Sequence, residues 1–90
     1  MERNEIYEKV KKAICAVLRE DVNFHGITED TDIIEAFNLN SIVAIELVVR
    51  LETIFDIEIA DEDLSVELFR TLDTIADYVE KKQAEANESN

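Results

Sequence analysis

The chain has 90 residues, 47% of them apolar, with no proline, a single glycine, a single cysteine and a formal net charge of −13. One domain with a modest core is all this length holds, which disfavours a walled catalytic cleft; the apolar content excludes intrinsic disorder, and the charge repels nucleic acid and anionic membranes. Without proline, and with only Gly26 to supply glycine turns, hairpins lack their usual chemistry, so the expected fold is all-α.

The first helix is expected over about 3–20. Ile6, Val10, Ala13, Ile14, Val17 and Leu18 fall on one helical face, Lys9, Lys11, Lys12 and Arg19 lie mostly off it, and Asn4 is a candidate cap. Residues 21–40 form a long loop whose Asn23, Gly26, Thr28, Asp30, Thr31 and Asp32 supply turn and cap chemistry. Within it, Ile33, Ile34 and Phe37 suggest one helical turn that plugs the core. A second helix is expected from Ser41 to Phe55, followed by the extended link Asp56-Ile57-Glu58-Ile59. A short third helix fits Asp61 to Glu67, capped by Asp61. The fourth starts near Thr71, runs from Leu72 to residue 82 and buries Leu72, Ile75, Ala76 and Val79. The expectation is therefore a four-helix bundle over 1–82, with a polar, disordered tail over 83–90.

The second helix has too many apolar residues for one face. With Ser41 at 0° and about 100° per residue, Val43, Ala44, Leu47, Val48, Leu51, Ile54 and Phe55 occupy an arc from about 200° to 340°, a core stripe. Ile42, Ile45 and Val49 form a second stripe, flanked by Ser41 and Glu52 on one side and by Glu46, Arg50 and Thr53 on the other. Either the helix is buried nearly all round, or the second stripe is a docking surface of apolar anchors rimmed by charge.

Ser41, after Asn38-Leu39-Asn40, suits a helix N-cap. Its context suggests more. The run Phe37-Asn38-Leu39-Asn40-Ser41-Ile42, then Ile45-Glu46-Leu47-Val48, Leu51-Glu52, Phe55-Asp56, Glu58-Ile59 and Asp61-Glu62, resembles the phosphopantetheine-attachment region of acyl carrier proteins. The resemblance extends over the whole chain in helix order. It implies that Ser41 carries 4′-phosphopantetheine as a phosphodiester, placed there by a phosphopantetheinyl transferase, and that the arm's thiol holds acyl groups as thioesters. It also implies that Asn40, Ile42, Ile45, Glu46, Val49 and Glu52 meet acyl-transferring or condensing enzymes with basic docking patches, in fatty acid, polyketide or related biosynthesis.

The chain departs from the usual Gly-x-Asp-Ser, with Asn38 where glycine is common and Asn40 where aspartate is. Asn38 tolerates a left-handed backbone. Val43, Thr53 and Ile54 are apolar or neutral where fatty-acid carriers are usually acidic, and Arg50 is positive, which points to a specialised set of partners. The competing reading is an acidic helical interaction module without a prosthetic group. An enzyme is not expected, because Ser41 has no neighbouring base and the only histidine, His25, lies in the loop. Cys15 is alone, which excludes an intrachain disulfide. Asp30 and Asp32, like Asp61 and Asp63, imitate the opening of a calcium loop, but Glu35 and Val66 stand where that loop needs glycine, so no metal is expected. With no apolar run that could serve as a signal peptide or span a membrane, the expected setting is the cytosol and the expected state a monomer.

The charge is unevenly spread: residues 21–80 hold sixteen acidic side chains against Arg50 and Arg70 alone. Thermal unfolding followed by circular dichroism is expected to shift upward when sodium chloride or a divalent cation is added, because screening relieves repulsion in the folded state. Equal melting temperatures at low and high salt would contradict this.

Overall fold

The computed structural model describes residues 2–88. Its helices are α1 (Arg3–Leu18), the single turn α2 (Ile33–Ala36), α3 (Ser41–Phe55) and α4 (Leu72–Glu88), and two 3-10 turns, Asp61–Asp63 and Val66–Phe69, lie between α3 and α4. The described residues include no strand. α1 packs against both α3 and α4. The interhelical core takes Ile6, Val10, Ala13, Ile14 and Val17 from α1, Leu47, Leu51 and Phe55 from α3, and Leu72, Ile75, Ala76 and Val79 from α4. Ile33 of α2, fully buried, enters it as the expected plug.

Helix ends here are made with little glycine. Arg19, Asn38 and Asp56, which follow α1, α2 and α3, all have positive φ, at 60°, 53° and 52°. After each, the next amide reaches back five residues: Glu20 N to Cys15 O at 3.2 Å, Leu39 N to Ile34 O at 2.9 Å and Ile57 N to Glu52 O at 3.1 Å. These are Schellman-type closures, which satisfy carbonyls that the helix leaves without partners. The first of them stops α1 at Leu18, short of residue 20. At its other end α1 begins after Glu2, with no side-chain cap, so Asn4 lies inside the first turn and not at the cap.

α4 starts with a reciprocal pair. Thr74 N donates to Thr71 Oγ1 at 3.0 Å and Thr71 N to Thr74 Oγ1 at 3.1 Å, a capping box with threonine in place of the usual glutamate. α4 then continues to Glu88, six residues past the expected end at 82. Lys, Gln, Ala and Glu are good helix formers with no breaker among them, and Lys82 pairs with Glu85 at 3.9 Å. Residues 89 and 90 of the expected tail lie outside the described residues.

The expected third helix is replaced by the two 3-10 turns. Leu64 and Ser65 between them are extended, and Ala60 precedes the first turn without a side-chain cap, so Asp61 is not a cap. Asp61, Glu62 and Asp63 suit a first helical turn, but the turn ends at Asp63 and does not propagate. Asp63 is also drawn to α4, where it accepts from Tyr78 Oη at 2.8 Å. The break lets Phe69 reach the core while Leu64 and Val66 stay exposed.

Two arginines tie the long loop and the helix ends together. Arg70 donates to Asp32 at 2.8 Å, and its carbonyl accepts from Ile33 N at 2.8 Å. Arg3, at the start of α1, meets Asp73 at 3.0 Å, Asp77 at 2.8 Å and also Glu80, all on α4. Tyr7 Oη donates to Asp73 and accepts from Arg3 Nε. The hydrogen bond from Tyr7, then that from Arg3, hold the Asp73 carboxyl below the usual range. A depressed carboxyl stabilises the fold above its unfolded pKa, and that contribution is lost as the pH falls through the folded value. Asp73→Asn should therefore cost about 1 kcal/mol, or roughly 5 °C, at pH 7. Urea unfolding should show the gap to the unaltered chain closing as the pH drops below about 4; a gap that widens on acidification would contradict the assignment.

Candidate functional site

The link between α2 and α3 sets the geometry of the site. Asn38 takes the left-handed turn, and Leu39 is half-buried against the core. Asn40 is extended, and its Oδ1 accepts from Val43 N at 2.9 Å while its carbonyl accepts from Ala44 N at 2.9 Å. Asn40 is therefore the N-cap, and Ser41 is the first helical residue. The serine is exposed, and among the described residues its hydroxyl has no hydrogen-bond partner. An N-cap role for Ser41, allowed by the sequence, is thus excluded because Asn40 fills it. The amides of Ser41 and Ile42 belong to the first turn, where no intrahelical acceptor exists.

The second apolar stripe lies outside the bundle. Ile42, Ile45 and Val49 are 68%, 63% and 56% exposed, values that rule out a helix buried all round. Glu46 and Arg50 beside them are exposed, and neither has an ion-pair partner among the described residues. Glu52, on the Ser41 side, is half-buried and accepts from Ile59 N at 2.9 Å, so it braces the link after α3.

The core stripe of α3 is narrower than expected. Leu47, Leu51 and Phe55 are buried, whereas Val43, Ala44 and Val48 are half-buried. Ile54 is 36% exposed. It sits at the margin of the arc and joins Ile45, Glu46, Val49, Arg50 and Thr53 around a shallow concavity. Val43, apolar where fatty-acid carriers are usually acidic, packs against the core as its place on the stripe predicts.

A cavity of about 280 Å³, almost wholly apolar, lies beside Ser41. Ile34, Leu39, Val48, Leu64, Val66 and Phe69 contribute to its wall together with Ser41 itself. The sequence reading missed this cavity. The available signal was the set of apolar residues at 39, 64 and 66, which no buried stripe claimed, beside Ile34 of the plug.

Other candidates lie elsewhere. His25 is exposed in the loop, Cys15 is half-buried on α1, and the described residues contain no cluster of metal-ligating side chains. Among the described residues, no helix is long and apolar enough to cross a membrane.

The family model described as "Phosphopantetheine attachment site" matches residues 8–79. The chain belongs to the acyl carrier proteins. The acyl carrier protein of Thermotoga maritima is 34% identical over 80 residues, covering 89% of this chain and 94% of the relative. That of Buchnera aphidicola subsp. Acyrthosiphon pisum (strain Tuc7) is 35% identical over 77 residues, covering 86% and 91%. That of Thermosynechococcus vestitus is 31% identical over 84 residues, covering 93% and 99%.

Acyl carrier proteins are non-catalytic carriers, and their prosthetic group is 4′-phosphopantetheine. The head of α3 fits that group. A phosphodiester on an exposed hydroxyl at the first helical position meets amides with no intrahelical partner and the positive end of the helix dipole. Asn40, as cap, holds the serine at that position. Asn40→Ala should lower stability by about 1 kcal/mol, and Asn40→Asp should restore it, because aspartate caps as well as asparagine. Thermal melts of the three proteins test this; an alanine variant as stable as the parent would show that the cap does not fix Ser41.

Proposed function

We propose that this acyl carrier protein bears its 4′-phosphopantetheine on Ser41 and presents acyl intermediates to enzymes of fatty acid, polyketide or related biosynthesis. The observation that carries the reading is a free, exposed hydroxyl at the first position of α3, beside the outward ridge of Ile42, Ile45 and Val49. Ser65 is also exposed, but it lies between two 3-10 turns and has no comparable helix end to receive a phosphate.

A phosphopantetheinyl transferase supplies the arm from coenzyme A. Ser41 Oγ bonds to phosphorus as its proton leaves, and 3′,5′-adenosine bisphosphate departs. Among the described residues no base is hydrogen-bonded to the oxygen, so the base belongs to the transferase. The bound arm ends in a thiol that holds an acyl group as a thioester. This chain's own work is to expose the attachment oxygen, neutralise the phosphate with helix amides and offer a docking ridge. The apolar cavity beside Ser41 favours acyl groups with hydrocarbon character.

Ile42, Ile45 and Val49 are the apolar anchors for partner enzymes, and Glu46 is the recognition acid on their rim. Glu52 contributes less directly, since its carboxylate also holds Ile59 N. The net charge of −13 steers the chain to basic surfaces and opposes self-association through the ridge, in keeping with a monomer working in the cytosol. The exposed Arg50 and Thr53 make this helix less acidic than a general fatty-acid carrier, which supports a dedicated partner set.

Intact mass spectrometry after incubation with coenzyme A and a broad-specificity phosphopantetheinyl transferase tests the proposal. One phosphopantetheine should be added to the parent chain and none to Ser41→Ala. An unmodified parent, or an alanine variant that still gains mass, would overturn it; the former would return the chain to the interaction-module reading.

A further inference from the structure

The exposed face of α3 does not carry one sign of charge. Glu46 and Arg50 are one helical turn apart, both exposed, and both line the shallow concavity that Ile45, Val49, Thr53 and Ile54 complete. Arg50 is the only cation between Arg19 and Arg70. The body around it is acidic, yet Arg50 makes no ion pair with Glu46 or with any other described residue. By contrast, Arg3 and Arg70 are each held by two or more carboxylates.

Arg50 lies inside the footprint that a partner would cover. Its neighbours Val49 and Ile54 are exposed apolar side chains, so a partner that seats them also removes water from the guanidinium. A uniformly basic patch would then face Arg50 with like charge, and a neutral one would leave five donors without acceptors; both are costly. A carboxylate matches the planar guanidinium with two parallel hydrogen bonds. Resting on the proposed docking role of α3, we infer that the partner enzyme carries an acidic side chain opposite Arg50 within an otherwise basic docking patch, about 13 Å along the helix axis from the Ser41 end. Glu46 faces a basic residue of the patch, and the apolar pocket between the two receives Val49 and Ile54. The helix thereby selects against partners whose patch is basic throughout.

A second copy of this chain could also set Glu46 against Arg50 across a twofold axis, but two bodies of −13 each repel.

The test uses the full-length apo chain, so that binding is read independently of Ser41 modification. The probes are a bacterial fatty-acid condensing enzyme with an all-basic docking patch and a panel of its variants in which each patch Lys or Arg is changed singly to Glu. Arg50→Ala should melt close to the parent, since Arg50 has no internal partner, and Arg50→Glu slightly lower, since it sets a second acid one turn from Glu46, while both stay folded. Fluorescence anisotropy should show Arg50→Glu binding the all-basic enzyme at least threefold tighter than the parent. One charge-reversed probe should reverse that order. Equal affinity of the parent and Arg50→Glu for the all-basic enzyme would overturn the inference. So would a panel with no position that favours the parent, or sedimentation showing a dimer that Arg50→Glu dissolves. Failure of Ser41 to accept phosphopantetheine would instead count against the carrier assignment and leave this binding result readable.

Discussion

The seating of Leu47, Leu51 and Phe55 against α1, in the core that α4 also enters, is the constraint on which the rest depends. These three buried residues fix the rotation of α3 about its axis. Once they face inward, helical geometry turns Ile42, Ile45 and Val49 outward and leaves Ser41 at the open end. No separate device is needed to expose the ridge. A helix that met the bundle one position out of register would bury Ile42 and Ile45 and hide the serine's flank. The core of a domain this small thus has a directional task as well as a stabilising one.

Charge is arranged around the same helix. The acids of α4 that face α1 are gathered by Arg3 and Tyr7, and the long loop is held by Arg70 through Asp32. Neither clamp uses a residue of α3. On the exposed face of that helix, Glu46 and Arg50 stay without internal partners, so their charge remains available to another molecule. The division has a physical logic: an ion pair satisfied inside the chain gives little to an approaching surface, whereas an exposed side chain without a partner can both steer and select.

Much of this was legible in the sequence because α1, α3 and α4 are long and strongly periodic. Their buried residues follow from 3.6-residue spacing, and Ile33 follows from an isolated apolar cluster after capping residues. The resemblance carried by residues 37–62 singled out Ser41, which spacing alone leaves as a plausible cap. Where the reading went astray, the competing interactions were local or tertiary. Asn40 capped α3 in preference to Ser41, because an asparagine one residue earlier reaches Val43 N. The segment 61–69 broke into 3-10 turns because Asp63 is drawn to Tyr78 and Phe69 to the core, contacts that no local pattern announces. The closing turn at Arg19 adopts a left-handed backbone usually reserved for glycine or asparagine, so the sequence carried no sign that α1 stops at Leu18, whereas the end of α3 at Phe55 was legible from the extended link that follows it. The cavity beside Ser41 was hidden for a related reason: its walls come from four separate segments.

The orientation of α3 is tested most directly by amide chemical shifts of the apo chain and of the chain treated with coenzyme A and transferase, compared residue by residue in heteronuclear NMR spectra. The account requires the largest changes at residues 40–45, at the head of the ridge, with small ones towards Val49 and none at Leu47, Leu51 or Phe55. Changes centred on Ser65, or spread through the buried face of α3, would mean that the helix presents a different side to its surroundings.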